Sequence, residues 1–483
     1  MPLLDLGHYT NGFPAVTDTN FAYKSLSPYG ERYTASAKGF LTGIITARLN
    51  DGTIPSYDYT VKYYDERSRV VQEKSTNHLD GYDQTYFAYN FVDQPIMMQH
   101  VHSAKSKLTQ TERYTYTYDH AGRLMTTKHQ LNGVPETLLV NNSYDELGRL
   151  QSNQRNGQAN LKTNYTYNIR SWMKTISNPL FNETLYYQDA PSTFLAGYEP
   201  NYNGNISAMS WDVFNTVDQK EATRSYCFNY DNLSRLTQAG YTETNKPTAN
   251  FSTSYAYDSH GNITALKRSG RTGTSSYGAI DDLTLSYQGN QLITVEDAAP
   301  TFNISESADF KNGSNQPLEY SYDKNGNLTK DLNKGISIIS YNSLNLPISL
   351  SIANASGSAL NNYTYSADGR KLKVEMKYGV NRANTKTTDY VGNMIYENGS
   401  LKRILVDGGY IENDKYYYYI QDHLGNNRVV AQADGSVLQA SHYYPFGMTF
   451  TENNTGDSKA QPYKYNGKEF DGERGLNVYD YSA

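Results

Sequence analysis

The chain has 483 residues and a formal net charge of −6 at pH 7, and its 43 basic residues are scattered along it. This distribution excludes the concentrated positive surface that nucleic-acid-binding proteins present to phosphates. Only 37% of the residues are hydrophobic, and no apolar run approaches the roughly 18 residues of a membrane-spanning helix, so that class is excluded as well.

The first 110 residues form an irregular region with one recognisable phrase. The region contains the apolar stretch Gly39–Leu49 and the phrase KYYDERSRVV at Lys62–Val71. Its start, MPLLDLGHYTNGF, lacks the basic segment and the long apolar core of a signal peptide. We therefore expect export by a route that needs no such peptide, or export as an internal piece of a longer chain.

Residues 111–400 repeat one phrase. The phrase is aromatic-x-Tyr-Asp-x-x-Gly, where x is any residue, and it is followed by a basic or polar residue and then by an aliphatic residue. Self-similarity at spacings of roughly 20–35 residues is typical of repeat architectures. The clearest copies are YTYDHAGRL at Tyr116–Leu124, SYDELGRL at Ser143–Leu150, FNYDNLSRL at Phe228–Leu236, YAYDSHGNI at Tyr255–Ile263 and YSYDKNGNL at Tyr320–Leu328.

Each phrase predicts a β-hairpin. Tyr and Thr alternate before Asp119, so one face of the strand carries Tyr and the other carries Thr. The Asp119 side chain can accept a hydrogen bond from the backbone two residues on, and Gly122 supplies the left-handed conformation that ends a four-residue loop. Arg123 and Leu124 then open the return strand.

Degenerate copies extend the pattern, so residues 111–400 predict an all-β ribbon of antiparallel hairpins. A ribbon of this length must coil, because β-strands twist. Sequence physics leaves open whether the coil is a filled solenoid or a hollow shell. The degenerate copies are YTYNIRSWM at Tyr165–Met173, SYQGNQL at Ser286–Leu292, SYNSLNLPI at Ser340–Ile348 and YTYSADGRKL at Tyr363–Leu372.

Residues 401–483 differ in character from the array and form a third region. They contain the blocks DHLGNNRVV at Asp422–Val430, YYPFG at Tyr443–Gly447 and YNGKEFDGERGLNVYDY at Tyr465–Tyr481. The polar stretch Thr451–Pro462 is the best candidate for a mobile loop.

Several polar motifs suggest metal or catalytic sites, but each has a structural explanation. His423 lies in a turn, where an imidazole commonly hydrogen-bonds a backbone group. His100 and His102 share one strand face, but with no Cys or carboxylate in matching register a zinc site is not expected. Asp323–Asn327 (DKNGN) lacks the EF-hand spacing, and the single Cys227 is expected to pack within a strand. We therefore expect no metal and no cofactor.

The 47 tyrosines form stripes along the predicted strands. Such stripes could serve as sugar-binding platforms, but cross-strand packing between neighbouring hairpins is the favoured interpretation, because Tyr recurs with the Asp-Gly turn throughout. No GxSxG, Walker or HExxH motif occurs in the sequence. The sequence thus favours a built surface or container over an enzyme with a compact pocket.

These phrases resemble the YD repeats of bacterial Rhs proteins, which are shared with the Tc-toxin C component and with animal teneurins. The three C-terminal blocks are similar to the Rhs repeat-associated core in their order and spacing. The resemblance covers roughly residues 60–483. The style of the first region resembles Rhs-like proteins of the Bacteroidetes.

The resemblance implies a hairpin ribbon that spirals into a hollow shell, with the core at one end. In polymorphic toxins of this family the shell encloses and delivers a toxic domain that follows the core, so the partners implied are a toxin polypeptide or secretion machinery. We expect a secreted or cell-surface location. The alternative role is adhesion through YD repeats, with a cell-surface glycan as partner.

In several relatives the core is also an aspartyl autoprotease. Asp471, in GKEFD, matches the first acidic position of that site, whereas nothing assigns Asp480 as its partner. The given sequence stops at Ala483, before the family's cleavage segment and toxin. We therefore expect a shell without its toxin and without self-cleavage.

Overall fold

The computed structural model describes residues 18–49, 56–190, 199–216, 219–220, 222–244, 250–273, 276–302, 309–450 and 461–481. Within these ranges the chain is all-β, without an α-helix, which confirms the predicted fold class. The predicted mobile loop Thr451–Pro462 lies outside the described residues except for its last two positions. No helix in the described part of the chain is long and apolar enough to cross a membrane.

The described residues form 37 strands, β1 to β37 in chain order. In the first region β1–β5 lie at Gly43–Leu49, Ser56–Tyr64, Val70–Asn77, Gly81–Tyr89 and Pro95–His102. Strands β6–β17 lie at Gln110–Tyr118, Leu124–Leu131, Thr137–Tyr144, Leu150–Gln154, Lys162–Tyr167, Met173–Asn178, Phe181–Tyr186, Ala208–Thr216, Gln219–Lys220, Arg224–Tyr230, Leu236–Glu243 and Thr253–Tyr257.

Strands β18–β28 lie at Ile263–Arg271, Tyr277–Gln288, Gln291–Asp297, Tyr320–Tyr322, Leu328–Asp331, Ile336–Tyr341, Pro347–Asn354, Gly357–Ser366, Lys371–Tyr378, Asn384–Val391 and Met394–Glu397. Strands β29–β37 lie at Ser400–Val406, Gly409–Glu412, Lys415–Gln421, Asn427–Gln432, Val437–Ala440, His442–Tyr443, Thr449–Phe450, Phe470–Asp471 and Val478–Tyr479. Short 3₁₀ turns lie at Thr19–Phe21, Ala159–Leu161, Val380–Arg382, Tyr465–Gly467 and Glu473–Gly475.

Almost every strand pairs antiparallel with its neighbour in the chain, so the sheet is one long meander. The pairing runs from β1 to β20, with the short β14 added beside β13, and from β21 to β33. The amide of Glu319 donates to the carbonyl of Ile293 at 2.9 Å and links the two runs. The sheet continues across residues 110–111 and 400–401 and enters the third region as far as β33, whereas β34–β35 and β36–β37 form separate two-stranded sheets.

The repeated phrase has the predicted hairpin geometry. In the copy at Ser143–Leu150, the Asp145 carboxylate accepts from the amides of Leu147 at 3.0 Å and Arg149 at 2.9 Å. The loop ends at Gly148, whose φ of +80° is left-handed. A register shift precedes the motif tyrosine in every such hairpin described here, at Tyr64, Tyr89, Tyr118, Tyr144, Tyr167, Tyr230, Tyr257, Tyr287, Tyr322, Tyr341 and Tyr365.

The motif tyrosines join one hairpin to the next. The Tyr144 hydroxyl donates to the carbonyl of Leu124, the aliphatic residue of the preceding phrase, at 2.8 Å. The corresponding hydroxyl bonds are made by Tyr89, Tyr118, Tyr167, Tyr230, Tyr257, Tyr287 and Tyr341. These bonds confirm packing between hairpins as the role of the tyrosine stripes.

The basic residue of the phrase strengthens the same junction. Arg123 Nε donates to the Asp119 carboxylate at 2.7 Å, and its guanidinium lies 4.6 Å from the centre of the Tyr144 ring in the next phrase. Arg149 repeats the arrangement over Tyr167 at 4.7 Å. A cation over an aromatic face is favourable, so one arginine both locks its own turn and holds the next tyrosine.

The ribbon also folds back on itself. Strand β1 pairs with β25 through Arg48 and Ser366 and through Leu49 and Tyr365. The largest cluster of buried apolar residues in the described ranges combines array residues such as Trp211 with residues of the last strands such as Phe450. The last hairpins therefore pack against the first half of the array, and the fold is a coil.

Replacing Gly148 with Ala should destabilise its hairpin by about 1–2 kcal/mol, because an added Cβ at a left-handed position is strained. The Cβ itself would have room, since its nearest neighbour is the end of the Arg123 side chain at 3.4 Å. Urea unfolding and hydrogen exchange of the β8–β9 peptides measure the effect. The matched control is Gly278→Ala, where φ is not left-handed and the nearest atom is at 3.5 Å. Equal stability of the two variants would contradict the hairpin geometry.

Candidate functional site in the C-terminal core

The first core block is built around a buried ion pair. Asp422 Oδ1 accepts from the amides of Leu424 and Asn426 at 3.0 Å, as in the array turns. Its Oδ2 accepts from Arg428 Nε at 2.7 Å, and the two side chains are 0% and 4% exposed. The same turn as in the repeats is thus reused in the core, but here its aspartate and the paired arginine are buried.

Arg428 connects this turn to the strands of the array, which form the wall of the coil. Its guanidinium lies 5.2 Å from the ring centre of Trp211 on β13 and 5.1 Å from that of Tyr443 in the second block. The Tyr443 hydroxyl donates to the carbonyl of Asn427 at 2.8 Å. A buried guanidinium is tolerated because a carboxylate and aromatic faces surround it, so this residue fixes the core on the wall.

His423 differs from the sequence-based expectation of a bond to a backbone group. Its Nδ1 lies 3.1 Å from both carboxylate oxygens of Glu183 on β12, and its own amide donates to the same carboxylate at 3.1 Å. Burial lowers the pKa of His423, but the charge and hydrogen bond of Glu183 together with the Asp422 charge outweigh burial and raise that pKa above its ordinary value. The residue therefore joins the core to the array as half of a charged pair.

The second block docks on β18. The Tyr444 hydroxyl donates to the carbonyl of Ser269 at 2.7 Å. Its ring contacts Phe251 and Phe450, with ring centres 6.0 and 5.0 Å away. This aromatic cluster explains why the motif carries consecutive tyrosines.

Asp471, the predicted catalytic position, lies on β36 at the edge of the third block. Its Oδ1 accepts from the amide of Glu473 at 2.9 Å, which makes it a turn residue. Burial and the nearby Glu473 and Glu469 carboxylates raise the pKa of Asp471, whereas Lys371 lowers it. The assignment of Asp471 as a family catalytic position stays a prediction.

Other acidic groups of this block gather around one lysine. Lys371 Nζ lies 3.4 Å from the Glu469 carboxylate and also contacts Asp480. Glu469 accepts from the Tyr390 hydroxyl at 2.9 Å. These contacts tie the third block to β26 and β27, and they account for the Glu469 and Asp480 carboxylates as structural groups.

The expectation that no carboxylate lies in register with His100 and His102 is wrong. Asp83 Oδ1 on β4 lies 3.0 Å from His100 Nε2 and 2.7 Å from His102 Nδ1. On the other side, Glu112 on β6 lies 3.1 Å from His100 Nδ1. The antiparallel registers of β4, β5 and β6 bring these side chains together, and the sequence alone does not give those registers.

The other polar motifs behave as turns or packing. Asp323 in DKNGN accepts from the amides of Asn325 and Asn327 at 2.9 Å, as turn chemistry predicts. Cys227 is buried on β15.

Three carboxylates that the sequence did not single out, Asp281, Asp297 and Asp309, have oxygens within 4.8 Å of one another. Asp281 is bound by Arg268 Nε at 2.5 Å and by the Phe310 amide at 2.7 Å. Lys311 lies 2.5 Å from Asp309. The cluster therefore has a structural role in holding the segment around Phe310 against β19.

Comparison with known proteins gives a clear structural likeness and little sequence likeness. No family model matches the sequence. Salivary gland surface protein 1 of Aedes aegypti is 31% identical over 121 residues, which cover 25% of this chain and 3% of that protein.

Solved Tc-toxin structures share the fold. The Tc holotoxin pore of Photorhabdus luminescens superimposes with a TM-score of 0.65 over 88% of this chain at 15% identity. The TcdB2–TccC3–Cdc42 complex gives a TM-score of 0.63 over 88% at 17% identity. This chain covers only 21% and 22% of those two chains, about a fifth of their length. The likeness confirms a spiralling, shell-like β-ribbon of the Rhs type.

Replacing Arg428 with Met should destabilise the protein by about 3–5 kcal/mol, because it leaves the Asp422 carboxylate buried and uncompensated. Chemical denaturation followed by tryptophan fluorescence is a suitable measurement, since Trp211 lies against the guanidinium. The matched control is Arg370→Met, which removes an ion pair to Asp368 whose side chains are 66% and 49% exposed. A similarly small loss of unfolding free energy in both variants would refute the role given to Arg428.

Proposed function

We propose that this chain is an Rhs/YD-repeat scaffold that forms part of the wall of a shell around a polypeptide cargo. The observation that carries the proposal is the fold-back of the ribbon, in which the core blocks pack onto the first half of the array through Arg428, His423 and Tyr444. A coiled ribbon can be filled or hollow, and the likeness to Tc-toxin assemblies supports a hollow one that encloses a cargo.

The cargo we propose is a toxic polypeptide, delivered from a secreted or cell-surface assembly, with secretion machinery as a further partner. The chain spans about a fifth of its structural neighbours, so the proposal concerns a section of wall and not a whole toxin. The wall's motif tyrosines donate their hydroxyls to backbone carbonyls within the ribbon. This internal use of the tyrosines favours a structural role over glycan binding.

Enclosure can be tested with a tethered reporter. A disordered polypeptide with protease sites, fused after Ala483, should be cut at least about tenfold more slowly than the same polypeptide alone. The physical reason is that a coiled wall excludes the protease from the tethered chain. The control is the same fusion carrying Arg428→Met, in which the anchoring of the core is weakened. Equal cleavage of the fused and the free reporter would contradict enclosure.

We also propose that Asp471 acts as a turn residue and that the chain does not cleave itself. An aspartic-protease mechanism needs two carboxylates that share a proton. Asp471 instead accepts from the amide of Glu473, while Glu469 and Asp480 contact Lys371. These contacts support a structural role for all three acids.

The purified chain should keep its full mass for several days between pH 4 and pH 8, and the Asp471→Asn variant should behave identically. Intact-mass spectrometry at daily intervals measures this. Glu66→Gln, a change at an exposed position far from the core, serves as a handling control. Cleavage of the wild type that stops in Asp471→Asn would show that Asp471 is catalytic.

A further inference from the structure

The histidines are concentrated where strands β3–β13 meet the late hairpins, which we define as strands β27–β34. Of the nine in the chain, His8 lies outside the described residues, and His120 and His260 are exposed at turns. The other six contact residues on the opposite side of this junction, or carboxylates beside it: His78, His100, His102, His129, His423 and His442. We name these six residues and their partners the histidine seam.

The centre of the seam is a chain of alternating imidazoles and carboxylates. Asp83 contacts both His100 and His102, and Glu112 lies 3.1 Å from His100 and 3.2 Å from His129. The side chains of His102, His129 and Glu112 are 0–1% exposed. Buried charges of this kind are stable only while their partners keep the complementary protonation state.

This central chain crosses from strands β4–β7 to strands β28 and β31, late in the chain. His102 Nε2 lies 2.9 Å from the Tyr396 hydroxyl on β28, and His129 Nδ1 lies 2.8 Å from the Tyr416 hydroxyl on β31. Asn393 donates to both Glu112 oxygens at 3.1 Å. Three separate contacts thus tie β5–β7 to strands nearly 300 residues later in the chain.

Further histidines extend the seam in both directions. His78 lies 3.3 Å from the Asp389 carboxylate on β27, and His423 pairs with Glu183. His442 Nδ1 accepts from Trp211 Nε1 at 3.1 Å. Histidines therefore recur at several separate points where early and late strands of the ribbon meet.

Solvent reaches the seam at His100, whose side chain is 15% exposed. A cavity of about 420 Å³ is lined by His100, Glu112, Tyr114, Asn393 and Asp407, among others. The groups that face His100 are then Asp83 from β4, Glu112 and Tyr114 from β6, His102 from its own strand and Asp407 across the cavity.

The groups that face His423 are Glu183 from β12, Asp422 from its own turn and Arg428 from β32. Carboxylates thus predominate around both histidines.

We propose that the histidine seam is a pH-sensitive latch that holds the late hairpins on the array at mildly acidic pH and loosens as the pH rises. The inference concerns closure of the coil and does not depend on the nature of any cargo.

The direction of the pH effect on the latch follows from the pKa values of His100 and Glu112. Burial lowers the pKa of His100, but Asp83 and Glu112 outweigh it and raise that pKa to about 9 from an ordinary 6.5. The free energy of folding that protonated His100 contributes is complete below pH 6.5 and is lost as the pH rises through about 9. Burial raises the pKa of Glu112, but His100 and His129 outweigh it and lower that pKa to about 2 from 4.5. That contribution is present above pH 4.5, so the latch is tightest between pH 4.5 and pH 6.5.

Hydrogen exchange of the whole chain at pH 6.0 and pH 8.5 tests the latch, with labelling times scaled to equal intrinsic exchange. Peptides from residues 81–131 and 393–421 should exchange about tenfold faster at pH 8.5. At that pH the imidazole of His100 begins to lose its proton, which weakens its ion pairs and the junction they support. Peptides from residues 347–378, which contain no histidine, should be unchanged.

Matched variants assign the effect. In the double variant His100→Gln and His423→Gln, the hydrogen-exchange rate corrected for intrinsic exchange should be the same at pH 6.0 and pH 8.5. The variant His120→Gln should behave as the wild type. Equal corrected exchange at both pH values in the wild type would overturn the proposal, and this outcome does not depend on whether the double variant folds. A pH response that persists in a folded double variant would overturn it too.

Discussion

The architecture depends on one hydrogen bond, which runs in eight of the eleven motif hairpins from the hydroxyl of the motif tyrosine to a backbone carbonyl of the preceding hairpin. A register shift lies directly before each of these tyrosines, and the hydroxyl supplies a donor to a carbonyl of the neighbouring hairpin. Phenylalanine would bury a similar area but could not supply the donor, so a Tyr-to-Phe change at these positions would lose the bond. The Asp turn and the arginine above the ring act on the same junction, so each phrase orders its own loop and its neighbour at once.

Local junctions build a ribbon, but a second class of contact makes the ribbon a coil. The wall–core junction uses buried charge where the hairpin junctions use neutral hydrogen bonds. Arg428, held by Asp422, packs on Trp211 of the array, and His423 pairs with Glu183 across the same junction. Buried ion pairs add little net stability but penalise wrong arrangements strongly. They therefore select one way of winding among the many that a uniform ribbon would permit.

The sequence predicts the local structure well because the phrase carries its own turn chemistry. The hairpins at Tyr144 and Tyr322, and the packing role of tyrosine, follow from residue type and spacing alone. The seam could not be predicted in the same way. Glu112 and His129 alternate with other polar residues along their strands, and a period of two assigns faces without saying which face becomes interior. Their partners, near residues 393–416, are fixed only by the winding of the coil.

The meander topology has a mechanical consequence. Because almost every strand hydrogen-bonds only to its neighbours in the chain, force applied to the two ends meets the hairpins one after another once the contacts of β1 with β25 and of the core with the array are broken. The molecule then yields in steps, each the size of one hairpin, at a load far below that needed to shear a whole sheet. A wall built this way can be unwound by a motor or a narrow pore from one end, without any cut in the chain.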